Sequence, residues 1–231
     1  MNIYLTGDTH GAFGRVIAFC ERMQTTKEDL LIILGDAGLN YYLNDRDEML
    51  KDLLDTVPIT LLCIHGNHEQ RPFTIGTYEE QSWHGGTVYV ERNHPNLLFA
   101  KDGEIYDLNG KKAMAIGGAY SVDRLYRIMH GLPWYNNEQP SDEIKAYVEK
   151  QLTHAGWKID YVLSHTVPFS YEPVEVFLPG INQSSVDKTT ELWLDDIEKK
   201  LTYERWFAGH YHTEKKVDKL QLMFNDYEQL L

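Results

Sequence analysis

Seven side chains able to bind a metal ion stand where apolar segments end. NIYLT (2–6) runs into GDTHG, which carries Asp8 and His10. LLIIL (30–34) runs into GDAG with Asp36, and ITLLCI (59–64) into HGNHE with Asn67, followed by His68, which is not one of the seven. DYVLS ends at His165, and WFA leads into GHYH with His210 and His212. The donors are imidazoles, carboxylates and one amide, with no thiolate. That set suits Mn, Fe, Zn or a similar divalent ion rather than a cysteine-built structural zinc. Seven ligands exceed what one ion takes. Two ions sharing Asp36 would use four protein ligands each and leave positions for solvent. Such pairs activate a water and clamp the oxygens of an in-line displacement.

A lone histidine at a strand end is more often a hydrogen-bonded loop residue. The motif histidines differ because Asp8, Asp36 and Asn67 accompany them. His84, His94 and His154 have no partners at useful spacing, so surface or loop roles are expected for them. His65 is expected to hold its loop. Gly7, Gly35, Gly66 and Gly209 each stand just ahead of a ligand or ligand cluster, where glycine would permit the backbone angles of a sharp exit.

Side chains this far apart in the chain need a scaffold that gathers them. The order NIYLT, helix 12–23, LLIIL, helix 44–57 and ITLLCI implies right-handed crossovers and a largely parallel sheet. The carboxyl ends of such strands are where sites assemble. TVYVE, NLLFA, GEIYDL and KKAMAIGG are short strands with turns between them, which predict an antiparallel meander forming a second sheet. Residues 119–140 form an aromatic, arginine-bearing insertion. Helices are expected at 141–155, with Ser141 as N-cap, and at 188–201, with a long loop over 166–185. RWFAGHYH, KKVDK and LQLMFND read as closing strands. One domain spanning 1–231 is the simplest organisation.

Bulk properties narrow the function. The 231 residues are 42% hydrophobic and carry a formal net charge of −13. An acidic surface of this kind repels phosphate backbones, so nucleic acid is expected only as a substrate, and anionic lipid is disfavoured as well. No apolar run is long enough for a membrane span. Cys20 and Cys63 lie in apolar segments and no leader is apparent, so a cytoplasmic protein with reduced thiols is expected. Oligomeric state is not legible.

GDTHG, GDAG, GNHE, the SH pair at 164–165 and GHYH, in this order, resemble the calcineurin-like metallophosphoesterase superfamily over about residues 1–224. The resemblance implies an α/β fold: a four-layer αββα sandwich of two facing mixed sheets flanked by helices. It implies that Asp8, His10, Asp36 and His212 hold one metal and that Asp36, Asn67, His165 and His210 hold the other. Mn²⁺ is the foremost expectation, with Fe, Zn and Ni as alternatives. It assigns His68 to the phosphate and to protonation of the leaving group, and Asp36 to the catalytic centre. Many members carry Asp and Arg where GDAGLNY has Leu39 and Asn40. Asn40 or Glu69 is therefore expected to orient His68. Arg124 and Arg127, in SVDRLYR, are expected to join Asn67 at the phosphate.

The implied reaction is attack of a metal-bridging hydroxide on a phosphate ester. A phosphomonoesterase acting on a phosphoprotein or small phosphorylated molecule is the first expectation. The alternative is a phosphodiesterase on nucleotides or nucleic-acid ends, since IGGAYSVDRLYR is somewhat similar to a stretch of lariat-debranching enzymes. A catalytically idle metal-binding scaffold ranks last.

Overall fold

The computed structural model describes residues 1–230. The chain begins β1 (Ile3–Thr6), α1 (Gly14–Met23), β2 (Leu30–Ile33), α2 (Asp45–Asp55) and β3 (Thr60–Cys63). Apart from Thr60, every residue of these strands is buried, so the sheet they build needs cover on both faces. Next come β4 (Tyr78–Trp83), β5 (Gly86–Glu91), β6 (Leu97–Ala100), β7 (Ile105–Leu108) and β8 (Lys111–Ile116). The insertion carries α3 (Arg124–Met129), and α4 (Asp142–His154), β9 (Tyr161–Ser164) and α5 (Thr189–Glu198) follow. The chain ends in β10 (Arg205–Ala208), β11 (Lys215–Val217), β12 (Leu220–Leu222) and β13 (Glu228–Gln229).

Two mixed sheets result. A seven-stranded sheet runs β13-β1-β2-β3-β6-β5-β4, and a six-stranded sheet runs β11-β12-β10-β9-β8-β7. Alternation along each strand assigns the layers. Ile3, Leu5, Ile32 and Leu62 meet Ala113, Ala115, Leu163 and Phe207 between the sheets. On the outer face of the first sheet, Tyr4, Leu31, Ile33 and Leu61 pack on Val16, Phe19 and Leu54 of α1 and α2. On that of the second, Met114, Val162 and Trp206 pack on Val148, Leu152, Leu194 and Ile197 of α4 and α5. The layers are thus helix, sheet, sheet, helix. Each fully buried Leu or Ile contributes about 1.5–3 kcal/mol.

The caps follow the sequence. Asn44 accepts a hydrogen bond from Arg46 N at 2.9 Å and Ser141 from Ile144 N at 3.3 Å, satisfying first-turn donors of α2 and α4.

The expected meander is divided between the sheets. β6 is buried on both faces and pairs parallel with β3, Leu61 opposite Leu97, so it extends the first sheet. β5 and β4 then run antiparallel out to that sheet's edge. Only β7 and β8 enter the second sheet, where β8 lies parallel to β9. A doubly buried strand needs neighbours on both sides, and sequence proximity alone does not supply that preference. β4, YEEQSW, went unrecognised because it is a mostly exposed edge strand with no apolar alternation.

Candidate metal centre

Register brings the ligands to one level. Thr6, Ile33 and Cys63 are paired neighbours at the ends of β1, β2 and β3, and Ile116, Ser164 and Ala208 are neighbours at the ends of β8, β9 and β10. The residues that follow leave both sheets at the same edge. Asp8 Oδ2 lies 3.2 Å from His212 Nε2 and 3.7 Å from His10 Nε2, and the two ring nitrogens are 2.9 Å apart. Asn67 Oδ1 lies 2.8 Å from His165 Nε2 and 3.0 Å from His210 Nδ1. Asp36 Oδ2 lies 3.7 Å from His165 Nε2. Asp8, Asp36 and His165 offer atoms that all lie within 4.8 Å of one another, which joins the two groups.

Surrounding contacts fix which atoms face inward. His165 Nδ1 is 2.8 Å from the Leu34 carbonyl, so it carries the proton and leaves Nε2 as a free donor atom. Asn67 Nδ2 donates to Ser121 Oγ at 2.8 Å, which turns Oδ1 toward the histidines. His210 N–H donates to Asp8 Oδ1 at 2.9 Å, and His68 N–H to Asp36 Oδ1 at 2.9 Å. The remaining Asp8 oxygen, Oδ2, is buried and has no hydrogen-bond partner among the described residues. Ring nitrogens facing one another, an amide oxygen approached by two imidazoles and an unsatisfied carboxylate oxygen are what bound cations would resolve. The donor set therefore fits a pair of divalent ions.

The backbone is strained at four of the candidate ligands. His10, Asp36, His210 and His212 take φ of 46°, 47°, 68° and 48°, in the left-handed region that non-glycine residues avoid. Such angles cost about 1–3 kcal/mol each and cluster at functional sites. This corrects the expected role of the glycines. Among Gly7, Gly35, Gly66 and Gly209, only Gly35 has positive φ (94°). What all four provide is room. A Cβ on Gly66 would lie 2.0 Å from Asp36 Oδ1, on Gly209 2.3 Å from Asp8 Oδ1, and on Gly35 2.0 Å from His165 Nδ1.

The electrostatics favour cations. Burial alone would raise Asp36, but His165, His68 and His10 hold it well below the usual carboxylate range. Asp8 is likewise lowered against its burial by the His212 imidazole 3.2 Å from its Oδ2. Burial, helped by His165, pushes His210 down to about 3, so its ring is neutral. Ionised carboxylates beside a neutral imidazole match the states that metal binding demands.

His68 is oriented by neither expected partner. Asn40 Oδ1 accepts from Tyr78 Oη at 3.0 Å, and Glu69 Oε1 accepts from Gly66 N at 2.8 Å. His68 Nε2 instead lies 3.7 Å from Asp36 Oδ2 and 3.4 Å from Arg127 Nη2. Arg127 is held by Asp123 at 2.8 Å and Tyr41 Oη at 2.9 Å. Arg124 sits 4.1 Å over the Trp134 ring, and no hydrogen bond or ion pair among the described residues joins it to the cluster. His94 lies in the loop between β5 and β6 as expected, but it is buried there, with Nδ1 2.6 Å from Asp55 Oδ2. Asp52 offers an oxygen within 4.8 Å of this pair as well. His65 is buried, and its carbonyl accepts from Gly118 N at 2.8 Å.

Beside the cluster opens a cavity of about 440 Å³, bordered by Asp36, Asn67, His68, His210 and His212 at one end. Its lining also includes Val176, Phe177, Ile181 and Glu191, which sequence reasoning missed. The apolar residues of VEVFLPGI were the available signal, but they have no period, being set on short 3-10 turns such as Val174–Val176.

Residues 1–214 match the family described as calcineurin-like phosphoesterase. The chain belongs to this family. Its members are dinuclear and metal-dependent, and the ligand groups above are the candidates for that role here. Among solved structures, TT1561 of Thermus thermophilus shares the fold, with a TM-score of 0.55 at 11% identity, covering 99% of this chain and 97% of that one. AQ665 of Aquifex aeolicus, a protein of unknown function, has a TM-score of 0.37 at 14% identity, over 74% of this chain and 81% of that one. No curated protein matches the chain. Among the described residues, no helix of this phosphoesterase is long and apolar enough to cross a membrane.

Proposed function

We propose that this phosphoesterase hydrolyses phosphate monoesters of small molecules. Asp8, His10, Asp36 and His212 would hold one divalent ion, and Asp36, Asn67, His165 and His210 the other. Bound there, the pair would lower the pKa of water for in-line attack on phosphorus and neutralise charge on the phosphate oxygens. The observation that carries the reading is the convergence of these donors around the unpartnered Asp8 Oδ2.

The chain's own residues do the rest. His165 and Asn67 are locked by Leu34 and Ser121, so the site is organised before substrate arrives. Arg127 presents Nη2 beside His68, where it can donate to a phosphate oxygen. A terminal phosphate carries two negative charges and gains more from this guanidinium than a singly charged diester does. Burial, with Arg127 adding to it, holds His68 below its ordinary pKa, so the charge of a bound phosphate is what would protonate its ring. As the bond from phosphorus to the ester oxygen breaks, that oxygen would then take the Nε2 proton, and the attacking water would give up a proton to solvent. The bordering cavity is the size of a small-molecule site, which disfavours a phosphoprotein.

The test compares p-nitrophenyl phosphate with bis-p-nitrophenyl phosphate after adding Mn²⁺ to apoprotein. Faster turnover of the monoester is expected. Preference for the diester would move the assignment to a phosphodiesterase, and no turnover of either would leave a metal-binding scaffold.

A further inference from the structure

We propose that the cavity beside the metal ligands is a subsite for the alcohol part of the ester, selecting a flat, ring-bearing group with an N–H or O–H that Glu191 accepts. This deepens the phosphomonoesterase reading and rests on it. The class of substrate named is a phosphate monoester of an aromatic or heteroaromatic alcohol.

The wall is apolar and fixed. Phe177 lies nearly parallel to Tyr211, at 18° with centroids 6.1 Å apart, and Lys188 Nζ is 4.7 Å from the Phe177 centroid. Tyr211 stands between His210 and His212, so the wall is tied to the ligand loop itself. Val176 and Leu178, at the same cavity, are 39% and 61% exposed. Leaving such side chains in water has no structural return, and a bound ring would cover them.

Glu191 supplies the polar contact. It is 3% exposed, and Oε1 accepts from Thr166 Oγ1 at 2.9 Å. Its Oε2 is buried and has no hydrogen-bond partner among the described residues. Lys188, the cation at hand, is spent on Glu172: Nζ lies 2.6 Å from Glu172 Oε1, which also accepts from Tyr211 Oη at 3.2 Å. An unsatisfied buried oxygen is costly, and a ligand donor in the cavity would satisfy it.

The test uses Mn²⁺-loaded protein in two assays. Calorimetry compares phenylphosphonate with methylphosphonate, neither of which is hydrolysed. Hydrolysis compares 4-aminophenyl with 4-methylphenyl phosphate, near-isosteres whose leaving phenols are of similar acidity. Phenylphosphonate is expected to bind at least about tenfold tighter than methylphosphonate. Phe177→Ala should erase that ratio. So should Val176→Asp, a change at a partly exposed position that leaves the core untouched. The amino ester should be favoured about tenfold in kcat/KM, with the preference lost in Glu191→Gln. Equal binding of the two phosphonates, or an amino-to-methyl ratio unchanged by Glu191→Gln, overturns the subsite while esters still turn over. Phosphonate discrimination with no ester hydrolysed upholds the subsite and removes the phosphoesterase reading instead.

Discussion

Arg127 Nη2 stands 3.4 Å from His68 Nε2, so the insertion delivers a guanidinium to the histidine that follows β3. The loop after β2, with Asn40 where many relatives have Arg, supplies none. The fork is braced from behind by Asp123 and Tyr41, which leaves the Nη2 edge for a ligand.

Replacing that fork tests its role. Arg127→Ala is expected to lower kcat/KM on p-nitrophenyl phosphate by about 10- to 100-fold, and Arg127→Lys to recover only part, because an ammonium cannot reproduce the planar contact. Arg124→Ala should change kcat/KM by less than about threefold, since its guanidinium packs on Trp134. Equal losses for both arginines would remove Arg127 from the site.

His68 as proton donor has a leaving-group signature. His68→Ala should cost about 10²- to 10⁴-fold on an alkyl phosphate, and clearly less on p-nitrophenyl phosphate, whose phenolate departs without a proton. A uniform loss across the two esters would assign His68 to binding alone.

Glu191 links stability to pH. Burial pushes its carboxyl up to about 7 from an ordinary 4.5. Between these values the folded protein holds a proton that the unfolded chain releases. The stabilisation is therefore full below pH 4.5 and lost as pH rises through 7. It is on the order of 3 kcal/mol. Urea denaturation from pH 5 to pH 8 should show a decline in wild type that Glu191→Gln lacks. Parallel curves would mean that Glu191 is ionised throughout.

Close approach at the glycines is expected to bear on metal affinity. Gly66→Ala, whose Cβ would fall 2.0 Å from Asp36 Oδ1, should weaken Mn²⁺ binding by about 10- to 100-fold in calorimetry. Gly14→Ala is the control. Nothing lies within 4 Å of its added Cβ at the start of α1, and a gain of about 0.5–1 kcal/mol is expected there with metal affinity retained. Unchanged affinity in Gly66→Ala would show that the Asp36 position is not constrained in this way.

The convergence of the candidate ligands was legible because buried strands carry a loud apolar signal, and Asp8, Asp36, Asn67, His165 and His210 interrupt it just past the strand ends. The layers were legible through the family resemblance. Strand partners were not: β6 joins β3 across more than thirty residues because both its faces need cover, which local spacing does not express. Side-chain direction was equally hidden. Asn40 and Glu69 stand at the right distance in sequence from His68 yet turn to Tyr78 and Gly66 N. His94 looked solitary because its partner, Asp55, lies on α2. The cavity wall is set on aperiodic turns, and no repeat marks Phe177 or Glu191 as neighbours.

Anomalous diffraction from crystals grown with Mn²⁺ tests the central claim most directly. Two manganese peaks are expected at the shared edge of the sheets: one bound by Asp8, His10 and His212, the other by Asn67, His165 and His210, with Asp36 touching both. An absence of peaks at this edge, or manganese held by other side chains, would contradict it.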